Sequence, residues 1–394
     1  MPTPLDHEVA ARIRRHGPVG FDQVVELALY HPEHGFYGSG IGAAGRRDDF
    51  LTSPEVGPLF GAVVARALDT WWIELGRPDP FTVVEAAAGA GTLARSVLFA
   101  EPACAPALTY VLVERSAALR RRQSEYLSIV DAALAFPPAD DERPGARADA
   151  VGRGPRVVSL PDLPAVAVTG VVLANELLDN LPFRLLERGP DGWLEVRVAL
   201  AGGTADDVET DLVEVLVPAT ATDAALAERL APSASPGARI PVQQAASAWV
   251  GAALDVLERG RLVVIDYAST TAELAERPVG QWVRTYRGNE RGGPALTALG
   301  TQDITCEVDE AQLALGHPPD VRSDQATFLA AHGLGGLVDE GRRIWHERAH
   351  IGDLAALRAR SRVGESEALT DPAGLGAFRV LEWTSPAAGS TGQR

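Results

Sequence analysis

The sequence lacks lysine altogether and has little sulfur, with one methionine and two cysteines in 394 residues. Its 36 basic residues are therefore all arginine, and against 53 acidic residues they leave a formal net charge of −17. A chain this acidic lacks the basic surface that general nucleic-acid binding requires, so we expect no nucleic-acid partner. Cys104 and Cys306 have no cysteine or histidine at metal-ligand spacing, and we predict no metal site.

Long hydrophobic runs are also missing. No stretch of about 18 apolar residues is free of charge, so no membrane insertion is expected. Residues 1–17 contain Asp6, Glu8 and three arginines, a composition unlike that of a secretory signal. We therefore expect a cytoplasmic location. With 46% apolar residues the chain can bury a sizeable core, which excludes wholesale disorder.

Strand and helix patterns alternate along most of the chain, which predicts an α/β fold with a doubly wound, mostly parallel sheet. The predicted core strands are 81–85, 108–114, 157–160, 170–174 and 261–267. Predicted helices include 9–15, 21–30, a helix from an N-cap at Ser53 to Trp72, and 243–259 closed by Gly260. Paired strands at 183–187 and 193–200, extended by 212–217, predict an inserted β element.

These patterns predict the following organisation. An N-terminal helical or lid segment, 1–75, is followed by the first part of the main domain, 76–182. The β-rich insertion covers 183–240, the rest of the main domain 241–384, and a disordered tail 385–394. Residues 137–155 are rich in Pro, Gly, Asp and Arg and are predicted to form a mobile surface loop.

A loop of small residues follows the first core strand. Glu85 closes the strand, residues 86–91 read Ala-Ala-Ala-Gly-Ala-Gly, and a helix begins near Thr92. Such a turn lets a ligand approach the main chain and offers helix N–H groups to an anion. Gly89-x-Gly91-x-x-Ala94 fits a dinucleotide fingerprint, whereas Glu85-x-Ala87-x-Gly89-x-Gly91 fits an S-adenosylmethionine site.

The position of the strand favours S-adenosylmethionine over a dinucleotide. Glu85 and three alanines separate the strand from Gly89, and a carboxylate there suits the ammonium group of a methionine tail rather than a pyrophosphate. Glu114, which closes the second strand, can bind ribose hydroxyls in either case. A structural loop without a ligand remains the third alternative.

Several motifs then resemble those of one family, the MidA-like methyltransferases, which include the mitochondrial complex I assembly-factor methyltransferase. The matching stretches, in chain order, are 31–37, 49–56, 59–61, 85–93, 114–123, 174–182, 265–267, 286–288, 303–309 and 371–376. The resemblance implies a class I methyltransferase fold, Rossmann-like, with S-adenosylmethionine as cofactor and S-adenosylhomocysteine as product. For the mitochondrial member it also implies methylation of a protein arginine in a respiratory complex I subunit.

The sequence departs from this family in two motifs. Ala87 stands where the cofactor loop usually has Gly, and Ala90 where it has Arg. The usual Asp-Leu-Thr-Ala-His-Val-Asp stretch reads Asp-Ile-Thr-Cys-Glu-Val-Asp at residues 303–309, so its His is absent. Ala87 suits the loop if its φ is negative and strains it if φ is positive.

Strand ends and the resemblance together give the candidate site. The candidate cofactor-binding residues are Glu85, Ala87, Gly89, Gly91, Thr92, Glu114, Arg115, Leu160, Asn175, Thr52 and Ser53. The candidate catalytic residues are Glu176, Asp179, Asn175 and Glu55. Carboxylates can hold a guanidinium in a fork, so Glu176 and Asp179 are predicted to orient the substrate, with Asn175 positioning nucleophile or cofactor.

Each role has a structural alternative. Asp179 could cap the turn before Pro182, and Glu55 could simply favour a helix N-terminus. We expect a methyltransferase acting on a protein arginine, with methylation of a small molecule as the competing activity and an assembly chaperone as the non-enzymatic alternative. A homodimer is compatible with the sequence.

Overall fold

A computed structural model describes residues 2–40, 52–136, 152–202, 210–288 and 290–385. The helices are α1 (Pro4–His16), α2 (Phe21–Tyr30), α3 (Ser53–Val56), α4 (Pro58–Glu74), α5 (Thr92–Phe99), α6 (Ala117–Tyr126), α7 (Ala132–Ala135), α8 (Ala221–Leu230), α9 (Gln244–Val256), α10 (Thr271–Ala275), α11 (Glu310–Gly316), α12 (Gln325–Ala331), α13 (Leu334–Arg348) and α14 (Leu354–Leu369).

The strands are β1 (Val19–Gly20), β2 (Phe81–Ala86), β3 (Leu108–Val113), β4 (Arg156–Leu160), β5 (Val168–Asn175), β6 (Arg184–Arg188), β7 (Trp193–Leu200), β8 (Leu212–Pro218), β9 (Arg239–Val242), β10 (Leu257–Asp266), β11 (Ala268–Ser269), β12 (Val283–Arg287), β13 (Glu290–Arg291), β14 (Asp303–Cys306), β15 (Val308–Asp309), β16 (Val321–Asp324) and β17 (Arg379–Ser385). Most of the predicted loop 137–155 and all but the first residue of the predicted tail lie outside the described residues.

The chain divides into two compact units. The parallel-sheet unit comprises Leu51–Glu176, Ala252–Asp266 and Pro319–Arg394, and the antiparallel-sheet unit comprises Met1–Phe50, Leu177–Gly251 and Tyr267–Pro318. This division differs from the predicted one, in which residues 1–75 formed one segment. Its physical cause is packing, because β1 pairs with β7 and the Phe21 and Phe183 rings lie 5.5 Å apart.

The parallel-sheet unit is built on a seven-stranded sheet in the order β16-β17-β10-β5-β2-β3-β4. The five strands from β10 to β4 run parallel, β17 is antiparallel to β10, and the edge strand β16 is antiparallel to β17 and so runs in the direction of the five. Every residue of β2 and β3 is buried, as expected for strands covered on both faces. The predicted doubly wound, mostly parallel sheet of a class I methyltransferase fold is confirmed.

Two glycines allow three neighbouring strands of this sheet to approach closely. Gly260 and Gly170 are paired across β10 and β5, and a Cβ on Gly260 would lie 1.8 Å from the carbonyl oxygen of Gly170. A Cβ on Gly170 would lie 1.9 Å from the carbonyl oxygen of Thr82 in β2. The prediction that Gly260 ends a helix is therefore wrong. The helix ends at Val256 and β10 begins at Leu257, because Gly260 is required inside the sheet.

The antiparallel-sheet unit contains a five-stranded sheet in which β1, β7, β6 and β9 follow one another and β8 pairs with β7. The predicted pairing of the strands at 183–187, 193–200 and 212–217 is confirmed. Its main core joins α1 and α2 to this sheet through Leu5, Val9, Val24, Phe183 and Val196, all of which are buried. Among the described residues, no helix is both long and apolar enough to cross a membrane.

Candidate active site

The loop between β2 and α5 has an unusual main-chain conformation. Ala87, Gly89 and Gly91 all have positive φ, at 54°, 53° and 83°. Glycine suits this region, and a Cβ on Gly91 would also displace the Leu127 side chain, whose Cδ1 would lie 2.8 Å away. For alanine the left-handed conformation costs about 1–2 kcal/mol. Ala87, which stands where the family usually has Gly, is therefore held in a strained main-chain conformation.

The peptide groups of Gly89 are held from both sides. Its N–H donates to Glu114 Oε2 at 3.0 Å, and its carbonyl accepts from Gln123 Nε2 at 2.8 Å. Gln123 is fully buried, and its Oε1 in turn accepts from the Ser159 hydroxyl at 2.6 Å. Gln123 is not among the predicted site residues, since a single glutamine in a polar helix gives no local signal. The structure thus fixes the loop through α6.

Glu114 lies at the end of β3, as predicted. Besides Gly89, its carboxylate accepts the N–H of Ser116 at 2.7 Å, and burial raises its pKa. Each carboxylate oxygen retains a lone pair that can accept a hydrogen bond from a ribose hydroxyl. Ribose binding by Glu114 stays a prediction. Leu160 accepts the main-chain N–H of Glu114 at 3.0 Å, and Arg115 is exposed beside it.

Glu85 is held beneath the loop. Its Oε2 accepts from the Tyr110 hydroxyl at 2.7 Å, and the Ala94 N–H at the start of α5 is a further donor. Burial raises the pKa of Glu85 to about 8, against an ordinary value of 4.5. The carboxyl group therefore joins β2, β3 and α5. Contact between Glu85 and a cofactor ammonium group stays a prediction.

The carboxyl end of β5 presents Asn175 and Glu176. Glu176 has a φ of 52°, a conformation uncommon for a residue with a side chain. Its Oε1 accepts two hydrogen bonds, from Asn175 Nδ2 at 2.9 Å and from the main-chain N–H of Ser53 at 3.3 Å. Strain of this kind is concentrated at functional sites, and here it fixes the direction of a carboxylate.

The segment Thr52–Glu55 supplies one of those donors. The N-cap residue of α3 is Thr52 rather than the predicted Ser53, because the Ser53 hydroxyl donates to Gln325 instead. The predicted continuous helix 53–72 is two helices separated at Gly57, which packs against the Glu365 carboxylate. Glu55 lies half-buried in the first turn of α3, which is compatible with either of its predicted roles.

Asp179 belongs to the antiparallel-sheet unit. It lies in a 3-10 turn, Leu178–Asn180, and accepts the Tyr267 hydroxyl at 2.5 Å. Burial raises the pKa of Asp179 to about 6, and the bond from Tyr267 acts in the opposite direction. Residues 176–179 do not form one helical turn, because Glu176 has a left-handed main-chain conformation and the 3-10 turn starts at Leu178. The substrate-orienting role of Asp179 stays a prediction.

Two features of the parallel-sheet unit fit S-adenosylmethionine. A Cβ added to Gly89 would meet nothing within 4 Å, so the loop leaves open space beside its main chain. Asn175 Oδ1 is buried and has no hydrogen-bond partner among the described residues, which suits an incoming donor such as an ammonium group. Thr92 begins α5 at the far end of the same loop.

Comparison with known proteins decides the cofactor class. The sequence model of a family described as "Putative S-adenosyl-L-methionine-dependent methyltransferase" matches residues 63–316. The chain belongs to this family. S-Adenosylmethionine is therefore its cofactor, and the dinucleotide alternative is excluded. The MidA-like resemblance is confirmed.

Solved and curated relatives agree with this assignment. A "likely methyl transferase from Burkholderia thailandensis bound to S-adenosyl-homocysteine" is 28% identical over 100% of this chain and 98% of its own, with a TM-score of 0.78. A mitochondrial protein arginine methyltransferase NDUFAF7 from Bos taurus is 28% identical over 84% of this chain and 74% of its own length. The Drosophila melanogaster homolog is 31% identical, but the match covers only 45% of its length and 50% of this methyltransferase.

Proposed function

We propose that this methyltransferase transfers the methyl group of S-adenosylmethionine to an arginine side chain of a protein. The Glu176 carboxylate supports the proposal most directly. It lies at the carboxyl end of β5, where ligands of open α/β sheets bind, and it is oriented by Ser53 and Asn175. The names of the curated relatives, protein arginine methyltransferases, support the same substrate.

The chemistry of an arginine acceptor explains why a fixed carboxylate is useful. Bound S-adenosylmethionine supplies an electrophilic methyl group on a sulfonium. The guanidinium is a planar cation with N–H donors in a fork, which a carboxylate can bind in a bidentate manner. Glu176 would accept two of these N–H groups and leave the third nitrogen directed outward. Positioning and electrostatics are the main contributions that an enzyme makes to such a displacement.

A labelled methyl group tests the proposal. The full chain is incubated with methyl-labelled S-adenosylmethionine and a candidate acceptor protein, a respiratory complex I subunit being the first one to try from the family resemblance. Acid hydrolysis of the labelled protein should release methylated arginine. Glu176→Gln should remove transfer while the Kd for S-adenosylhomocysteine, measured by calorimetry, stays within about twofold of wild type.

Two results would contradict the proposal. Label found in small molecules and not in protein would favour the competing metabolite activity. Cofactor binding without transfer to any acceptor would favour the assembly chaperone. Because the sequence contains no lysine, label on the enzyme itself cannot arise from lysine methylation, which simplifies the product analysis.

A further inference from the structure

The C-terminal helices α12 and α14 hold the segment Thr52–Leu59, and both belong to the same unit as that segment. Ser53 Oγ donates to Gln325 Oε1 at 2.8 Å, and Gln325 Nε2 donates to the carbonyl of Leu369 at 3.0 Å. Neither Ser53 nor Gln325 has any exposed surface. The main-chain N–H of Gln325 is also used, donating to the carbonyl of Phe378 at 2.8 Å. The Gln325 amide is thus fixed in position and orientation.

A second contact holds the other end of the segment. Glu365 of α14 accepts the N–H of Leu59 at 2.9 Å and the hydroxyl of Ser361 at 2.6 Å. The carboxylate also fills the space beside Gly57, where an added Cβ would lie 2.2 Å from Glu365 Cδ. With both ends attached, the segment is fastened to the C-terminal helices. This stretch of the predicted lid segment is therefore anchored to α12 and α14.

The segment in turn contacts Glu176. The Ser53 N–H that donates to Glu176 Oε1 belongs to the same residue whose hydroxyl is bound by Gln325. One side chain of α12 therefore determines where a donor meets the carboxylate at the end of β5. Buried polar groups are costly unless every partner is present, and an apolar residue would fill the place of Gln325 without fixing that N–H.

We propose that Gln325 is a positioning residue for methyl transfer, acting on Glu176 through Ser53. The inference rests on the proposed function of Glu176 as the acceptor-binding carboxylate. Gln325 touches neither acceptor nor cofactor in this role. Its loss changes how well Glu176 is oriented and leaves the loop around Gly89 as it is, since that loop is held by Glu114 and Gln123.

The test uses Gln325→Met, which keeps the length of the side chain, together with Ser53→Ala and the double variant in the full chain. We expect each single variant to lower kcat/KM for the acceptor about tenfold. Because both act through one contact, the double variant should be no worse than either single one. The Kd for S-adenosylhomocysteine should stay within about twofold of wild type in Gln325→Met, because Gln325 is not among the candidate cofactor-binding residues.

The matched control is Thr301→Val, which removes a partly buried hydroxyl hydrogen bond of the same length, 2.8 Å to the Ala298 carbonyl, in the antiparallel-sheet unit. Its kcat/KM should stay at the wild-type level. Amide hydrogen exchange gives a readout independent of any acceptor. Gln325→Met should speed exchange at the Ser53 amide and leave the Gly89 amide unchanged.

The possible outcomes separate this inference from the proposed function. Unchanged exchange at Ser53, or faster exchange with unchanged transfer, would overturn the role of Gln325. Equal losses in transfer and cofactor binding would also overturn it, because they would mark a merely structural residue. If the acceptor is not arginine but transfer still falls about tenfold in Gln325→Met, the positioning role stands and only the arginine proposal fails.

Discussion

The side-chain amide of Gln123 donates to the carbonyl of Gly89 over 2.8 Å, so a residue of α6 fixes the peptide at the centre of the cofactor loop. Gln123→Ala should therefore weaken S-adenosylhomocysteine binding about tenfold, because the loop loses one of its two anchors. Calorimetry measures the change. Ser124→Ala, at an exposed neighbour whose hydroxyl donates to the Arg121 carbonyl, is the control and should bind normally. Equal Kd values for Gln123→Ala and wild type would show that the loop needs no such anchor.

Ala87 offers a stabilising substitution. Since its φ is 54°, Ala87→Gly should raise the free energy of unfolding by about 1 kcal/mol. Ala90→Gly is the matched control in the same loop. Its φ is not positive, so glycine there should give no gain. Urea unfolding of the three proteins compares them directly. Equal gains at both positions would mean that loop flexibility and not strain at residue 87 controls stability.

Glu176 should show a trade-off between stability and activity. Glu176→Gly relieves a φ of 52° but removes the acceptor of the Ser53 and Asn175 hydrogen bonds, so it should gain less stability than the same exchange at an exposed position while losing methyl transfer. Glu101 is exposed, follows the end of α5 and has a φ of 51°, so Glu101→Gly repeats the same exchange away from the site. That control should gain stability and keep full transfer. Retained transfer in Glu176→Gly would remove Glu176 from the site.

Glu85 should make stability depend on pH. Because burial raises its pKa from 4.5 to about 8, its contribution is complete below pH 4.5 and is lost as the pH rises towards 8. Glu85→Gln keeps an acceptor for Tyr110 and cannot ionise. The free energy of unfolding of this variant relative to wild type should increase between those two pH values, by at most about 1.4 kcal/mol per pH unit. A constant difference across that range would show that Glu85 titrates normally.

Tyr267 tests the predicted role of Asp179. The Tyr267 hydroxyl lowers the pKa of Asp179 and burial raises it, giving a value of about 6. If ionised Asp179 assists transfer, Tyr267→Phe should move the acidic limb of the pH–rate profile to higher pH, with rates converging at alkaline pH. Tyr126→Phe, at an exposed tyrosine, is the control. An unmoved acidic limb would favour the alternative that Asp179 only caps its turn.

The sequence predicted those parts of the fold that depend on local pattern. The apolar runs of β2, β3 and β5 identified the parallel sheet, and the strand ends identified Glu114, Asn175 and Glu176. Side-chain partners across the sheet could not be predicted in this way. The bond from Tyr110 to Glu85 joins residues 25 positions apart, and that from Ser53 to Gln325 spans 272 positions. Gly260 was misassigned for the same reason, since its partner Gly170 lies in another strand.

The close contact between Gly170 and Gly260 should also constrain the sequences of related proteins. At each position a neighbouring carbonyl occupies the place that a side chain would need. A side chain at position 260 would separate β10 from β5, and one at position 170 would separate β5 from β2, so relatives with the same strand order should keep both glycines. Glycine in both columns of a family alignment would then report the close approach of these three strands without any coordinates.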